Sequence, residues 1–453
     1  MKKVFGFIAA TLLLAAPVMG AEVTATAPAY NCDFAPSCEV APGVYGKMAS
    51  PVTSKFNLSI GGFVKLDYAY NSVNLGQSGS LAPGTGQVPK TSSALAQREQ
   101  SIFTARQSRF WLKVGGPTFF GAKTNALIEA DFYGDPSLAA ESPQLRMRQA
   151  WGSIDWANTS FLFGQAYDTF GPMVASTVDF RSGASFGTPN NPRVPQIRLT
   201  QKVNLNPDNA LKLVLGVQDP NQNSNNNTGA YSTSFGAAVN VAAQAMWVSK
   251  ALGVAPGYWG LPMNSLTAGF FGLYGSQKVA DNSNRSVDSW GYGFYTFLPL
   301  LKSGDGKNRA MTLSFEGQGY LAANMAFNSA TATTFTGSTG ALAPAKGYGL
   351  GGQFIFYPTQ DLGVAAGYLR RAALNYGRYD NSTYATANNY QKYNQNIFVN
   401  VNYDLNAAVR VAVEYENLYT QYGKVTDVAG GPLAGLSATG TANIARLALY
   451  YFF

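Results

Sequence analysis

Eleven charged side chains sit on the polar side of short alternating segments: Arg109, Lys113, Glu129, Asp131, Arg146, Arg148, Arg198, Lys202, Arg410, Glu414 and Arg446. Their immediate neighbours along the chain are mainly apolar, so in an extended segment the charges share one face and the apolar groups the other. Cations and carboxylates brought together in this way act on ions in water. If the chain turns at 117 to 121 and pairs positions summing to about 238, Arg109 stands opposite Glu129. A sum of about 279 across the 135 to 144 loop sets Asp131 opposite Arg148. Two readings of this ladder stay open. In one, the arginines left over after pairing draw anions through an aqueous path; in the other, the network stiffens a wall without choosing solutes.

Bond-making chemistry has few candidates. The chain contains no histidine, which removes imidazole acid/base work, Ser-His-Asp hydrolysis and histidine metal ligation together. No catalytic residue, metal or cofactor is expected, and the protein is read as a non-enzyme. The glycines of GYGLGGQ have no helix pattern after them, as a nucleotide-binding fingerprint needs. The segment from Asp168 to Arg193 is rich in Gly and Pro and carries Asp179, Arg181 and Arg193. Folded inward, it would narrow a channel and supply discriminating charges; the alternative is an ordinary external loop. Cys32 and Cys38, six apart in an exported chain, suggest a small disulfide loop.

The elements that position these groups are read from composition and period. Charged residues are 12% of the 453, about half of the roughly 25% usual in soluble domains, while Gly, Tyr and Phe are plentiful. A lipid-facing surface with aromatic girdles and a polar interior accounts for this balance. Residues 1 to 20, with Lys2 and Lys3 ahead of an apolar run and Pro17, read as a signal peptide. Its loss removes two lysines and no acids, taking the formal charge from +8 to +6. Residues 21 to 54 read as a periplasmic segment and 55 to 453 as a transmembrane antiparallel β-barrel. No later run approaches the roughly 20 apolar residues of a membrane helix.

Alternation recurs along the chain. Phe56, Leu58, Ile60, Val64, Leu66, Tyr68 and Tyr70 oppose Asn57, Ser59, Lys65, Asp67 and Asn71; Ile397 to Tyr403 and Val409 to Tyr415 form a two-faced hairpin across Asp404 to Ala408. The last residues, TANIARLALYYFF, place Ala445, Leu447, Leu449, Tyr451 and Phe453 on one side, as a barrel-closing strand would. Short connections alternate with long Asn-, Ser- and Gly-rich ones, predicting short periplasmic turns, long external loops and about 16 strands. Residues 234 to 264 fit worst, because SKALGVAPGYWGLPMN is long for a periplasmic turn; they leave the count open by two.

Four blocks in order, RQSRFWLKVGGPT, IEADFYGD, QLRMRQAWGSID and FLFGQAYDTF, resemble the amino-terminal signature of DcaP-like outer-membrane porins over Arg106 to Phe170. That resemblance implies a trimeric, 16-stranded porin of the Gram-negative outer membrane passing small, mainly negatively charged organic molecules such as dicarboxylates. It also implies that Arg109, Glu129, Asp131, Arg146 and Arg148 are lumenal. The helical amino-terminal extension common in that family is absent from the lead here, which has no heptads and carries two cysteines instead. The expected function is passive diffusion of small hydrophilic solutes favouring anions. The expected partners are outer-membrane lipid, two further copies of the chain and small anionic solutes, with no nucleic acid. The rival is a structural or adhesive barrel whose loops bind partners.

Overall fold

The computed structural model describes residues 56–75, 88–134, 143–180, 187, 193–219, 239–260, 262–278, 286–325, 334–336, 342–344, 346–374, 391–422 and 439–453. The expected signal peptide, the amino-terminal segment with Cys32 and Cys38, and Arg181 lie outside these residues.

The strands are β1 (Asn57–Asn71), β2 (Gln100–Thr104), β3 (Arg109–Gly115), β4 (Lys123–Asp131), β5 (Arg146–Asp155), β6 (Thr159–Tyr167), β7 (Arg193–Asn204), β8 (Asn209–Gln218), β9 (Asn240–Pro256), β10 (Met263–Lys278), β11 (Ser286–Leu301), β12 (Thr312–Ala323), β13 (Thr334–Thr336), β14 (Leu342–Pro344), β15 (Lys346–Tyr357), β16 (Leu362–Ala373), β17 (Gln391–Asp404), β18 (Val409–Tyr422) and β19 (Thr439–Phe452). β13 and β14 pair only with each other. The other seventeen form one antiparallel sheet in which β2 and β3 both lie along β1. They are two halves of one wall strand, so the wall has sixteen strands among the described residues.

The sheet closes on itself: β1 pairs with β19 from Phe63↔Phe452 to Asn71↔Ile444. Closure leaves no unpaired edge, which an apolar solvent would penalise because it offers the backbone no hydrogen bonds. Alternation decides which side faces in. On β1 the even positions Val64 and Leu66 are exposed while Lys65, Asp67 and Asn71 are buried inside; on β18 Arg410, Glu414 and Glu416 are the buried set. Exposed Ile128, Phe163, Ile197, Leu215, Phe270, Phe354, Val399 and Leu449 carry an apolar outer surface around the ring. Such a surface is stable only against lipid.

Six of the tight connections fall where the sequence places them, the seventh being the long β9–β10 connection, and the two chain-terminal strands close the ring. β9 continues to Pro256 and β10 begins at Met263, so most of the stretch that looked too long for a turn is strand.

Candidate functional site in the barrel lumen

The segment after β6 enters the barrel. From Asp168 to Phe180 it runs along the inner wall, and side chains of six strands, four of them neutral amides and two charged, hold its backbone. Gln244 of β9 donates to the Thr169 carbonyl. Gln318 of β12 accepts from the Met173 N–H at 3.0 Å. Gln353 of β15 accepts from Ser176 N–H at 2.7 Å and donates to the Val174 carbonyl at 3.0 Å. Asn400 of β17 donates to the Ser176 carbonyl. On β18, Glu414 accepts from the Val178 N–H at 2.7 Å, and on β1 the Lys65 ammonium donates to the Val178 carbonyl at 2.7 Å. Each buried backbone group of the segment that is satisfied this way avoids a desolvation cost of about 1–3 kcal/mol.

Between these bonds the segment inserts apolar side chains into the wall. Phe170 packs edge-on against Phe271 and Tyr320; Met173 and Ala175 join Ile355, Leu369 and Phe398; Val178 joins Phe63, Ala412, Ala448 and Tyr450. Fully burying a Phe, Met or Val contributes about 1.5–3 kcal/mol each. Replacing Gln353 with leucine strands the Ser176 N–H and the Val174 carbonyl and removes a donor from Glu316, which Gln353 reaches at 2.7 Å. We expect proteinase K to cut the Gln353→Leu barrel between Asp168 and Phe180 under conditions where the parent resists; equal resistance in both would show that the amide does not hold the segment.

A charged cluster lies at the far end of the segment. Arg446 approaches Glu416 at 3.0 Å, Glu414 at 3.5 Å and Asp179 at 3.7 Å. Lys65 pairs with Asp67 at 2.8 Å and its ammonium stands 4.4 Å from the Phe180 ring. Gln107 donates to Asp179 at 2.7 Å. All six charged groups are buried.

The adjacent wall, β3 to β5 beyond β1, carries the second cluster. Arg148 pairs with Glu129, and with Asp131 at 2.7 Å; Arg146 grips Asp131 with two bonds of 2.9 and 2.7 Å; Arg109 is 3.8 Å from Glu129. The strand register differs by two from the sequence expectation: Arg109 sits across from Asp131, and Asp131 across from Arg146. On β4–β5 a one-residue register shift between Glu129 and Ala130 supplies part of the difference, while β3–β4 pair in one constant register, and the long arginines reach their carboxylates diagonally.

Exposure sorts the charges by sign. Glu129, Asp131, Asp179, Glu414 and Glu416 are all under a tenth exposed. Arg146, Arg193 and Arg198 are half-buried, and Lys113, Lys202 and Lys212 are exposed; on β7 Arg198 and Lys202 share the inward parity of Gln196, while Arg193 reaches the cluster through Tyr167, whose hydroxyl Arg148 contacts at 2.7 Å. Among the described residues no ion pair engages Arg193, Arg198, Lys113, Lys202 or Lys212; Arg193 lies 5.8 Å over the Tyr167 ring, and Arg198 donates to the Tyr167 carbonyl at 3.4 Å. Arg410 is instead committed near the short-turn rim, where it and Arg309 both hold Asp404.

The sequence list of pore residues omits Lys65, Asp67, Lys212 and Glu416, each of which lies on the lumenal side. Parity alone would have found them, since they alternate with exposed apolar neighbours. The glutamines and asparagine that hold the inward segment gave no such signal.

Neither a scan against models of protein families nor a search of curated protein sequences finds a match. Solved structures match over 88% of the chain. They include the outer membrane channel DcaP of Acinetobacter baumannii (TM-score 0.64, 15% identity, 97% of that chain covered), OprB of Pseudomonas putida (0.52, 11%, 94%) and an anion-selective porin from Comamonas acidovorans (0.51, 11%, 100%). This chain has the fold of the outer-membrane channels, with DcaP among its structural neighbours.

Proposed function

We propose that this protein is a porin of the bacterial outer membrane, a homotrimer through which small hydrophilic solutes diffuse down their gradients with a preference for anions such as small organic acids. One observation carries the anion preference: on the lumenal face of β3 to β8 Glu129 and Asp131 are buried and paired, while cations stand accessible; the half-buried Asp155 at the short-turn end of β5 is the exception, held by Ser153, Ser160 and Asn125. A passing solute therefore meets Arg146, Arg193, Arg198, Lys212, Lys202 and Lys113, and the acids behind them keep any anion from being held tightly. The fold shared with an anion-selective porin is in keeping with this reading.

The test is the zero-current potential of the purified protein in a planar bilayer under a tenfold KCl gradient. Chloride preference is expected. It should be larger around 0.1 M than around 1 M salt, because the screening length falls from about 10 Å to about 3 Å. Potassium preference at low salt would refute the anion reading, and the absence of any current would favour a barrel that serves as a scaffold. Cross-linking in detergent checks the trimer.

A further inference from the structure

The β9–β10 connection leaves its own hairpin and reaches across the barrel. These strands pair in constant register from Val241↔Tyr274 to Ser249↔Leu266, and then the register jumps so that Val254 faces Ser265. Lys250 to Gly253 are looped out at that jump, and Gly253, at φ +71°, lies over the Lys302 side chain. Beyond it, Val254–Pro256 and Met263–Ser265 form a small paired arm.

Other strands hold the arm. Ser303 N–H, just after β11, donates to the Val254 carbonyl at 2.8 Å, and Ser314 of β12 donates to the Pro256 carbonyl at 2.8 Å. At the tip, a Cβ on Gly260 would strike the Tyr357 hydroxyl of β15 at 2.3 Å. Arg410 of β18 donates to the Trp259 carbonyl at 3.3 Å and places its guanidinium 5.8 Å from the Trp259 ring; that ring is 6.3 Å from Tyr450 of β19. In the ring of sixteen, β9 and β19 stand on opposite sides, so the arm spans the mouth. Trp259 itself adopts φ 53°, a left-handed conformation costly for a bulky residue and retained only where the surroundings impose it.

We propose that this arm, with Trp259 at its tip, sets the size limit of the passage at the short-turn end; the inference rests on the porin reading above. The arm overlies the β11 to β19 side of the lumen, the side already lined by Asp168–Phe180. The two inserts meet in one cluster, where Val178 and Phe180 from one and Trp259 from the other pack around Phe63 and Tyr450. What stays open at this end is the β1 to β5 side, where a recess of about 480 Å³ is lined by Asn57, Ser59, Lys113, Asn125, Leu127 and Trp151. Charge is thus sorted at the arginines of β5 to β7 and size at the arm. An uncharged indole can narrow the exit without altering which sign of ion passes.

Two variants separate these roles. Trp259→Ala removes the ring alone; a second variant replaces residues 251–264 with Asn-Gly, joining strands that already pair at Ser249↔Leu266. Folding is checked by heat-modifiable migration, and if the excision does not fold, Trp259→Ala carries the test by itself. Single-channel conductance and proteoliposome swelling with a pentose, a disaccharide and a trisaccharide are then measured. The expected result is a conductance about 1.5- to 2-fold higher, larger in the excision, with entry of a sugar that the parent excludes and an unchanged zero-current potential. A conducting parent whose folded variants keep its conductance and sugar cut-off would overturn the arm's role, as would lost chloride preference with no change in cut-off. A parent that does not conduct would instead defeat the porin reading itself.

Discussion

Replacing Arg146, Arg193 and Arg198 together with glutamine is expected to abolish the chloride preference while leaving the barrel folded. A solute passing about 6–8 Å from a lumenal charge in a water-like medium exchanges roughly 0.5 kcal/mol with it. Three such charges sum to about 1.5 kcal/mol in favour of chloride and the same against potassium, roughly tenfold in each permeability and about a hundredfold in their ratio. Folding is spared because Asp131 loses one partner and keeps another, Arg148 at 2.7 Å. Arg193 and Arg198 make no ion pair among the described residues, so their removal breaks no direct carboxylate contact. The zero-current potential of the triple variant under the same gradient decides the matter: a value near zero or on the potassium side supports the basic path, and an unchanged chloride preference would place selectivity outside this wall. Lys113→Gln alone, at the wide recess near the short-turn rim, should have a smaller effect.

Sidedness was the most legible property of the sequence, because in a strand it depends only on whether a residue number is odd or even. Lys65 and Asp67 alternate with Val64, Leu66 and Tyr68, and that is sufficient to aim them inward. The chain-closing strand and the hairpin from Ile397 to Tyr415 followed from the same rule. Register was less legible. A slip of two keeps every side chain on its face, so hydrophobic patterning cannot detect it. The shift at Glu129/Ala130 and the break between β2 and β3 each slip the pairing by one and swap the parity that faces in, from Arg148 to Gln149 on β5 and from Ile102 and Thr104 on β2 to Arg109 and Lys113 on β3, which a simple odd-even rule does not foresee. The arginines met their carboxylates anyway, being long enough to reach a diagonal neighbour.

Contacts between distant segments were not legible at all. Gln244, Gln318, Gln353 and Asn400 are neutral amides on strands far apart in sequence, and nothing local says that they converge on one backbone. The glycines and prolines of GVAPGYWGLP announce a turn. They do not say that the turn bends over the lumen or that Trp259 ends beside Tyr450.

Arg446→Met should give the largest loss of stability of any single substitution in the lumen. Arg446 lies within 3.7 Å of three carboxylates, Glu416, Glu414 and Asp179, and is itself buried. Removing one member of a buried ion network leaves uncompensated charge and costs about 3–5 kcal/mol, much of it the desolvation of the groups left behind. The three acids also repel one another once the cation is gone. Asp179 and the Val178 N–H that Glu414 accepts belong to the inward segment, so the same substitution should loosen that segment from β18 and β19. Urea midpoints read by heat-modifiable migration measure the first effect, and current noise in a bilayer measures the second. If the network carries the cost, removing two of the three stranded charges with Glu414→Gln and Glu416→Gln in the Arg446→Met background should recover part of the midpoint, because those two groups are then neutral amides able to hydrogen-bond in place. A single variant as stable and as quiet as the parent would show that the cluster does not hold the segment, which would then rest on Gln353, Asn400 and the buried Phe170, Met173 and Val178 alone.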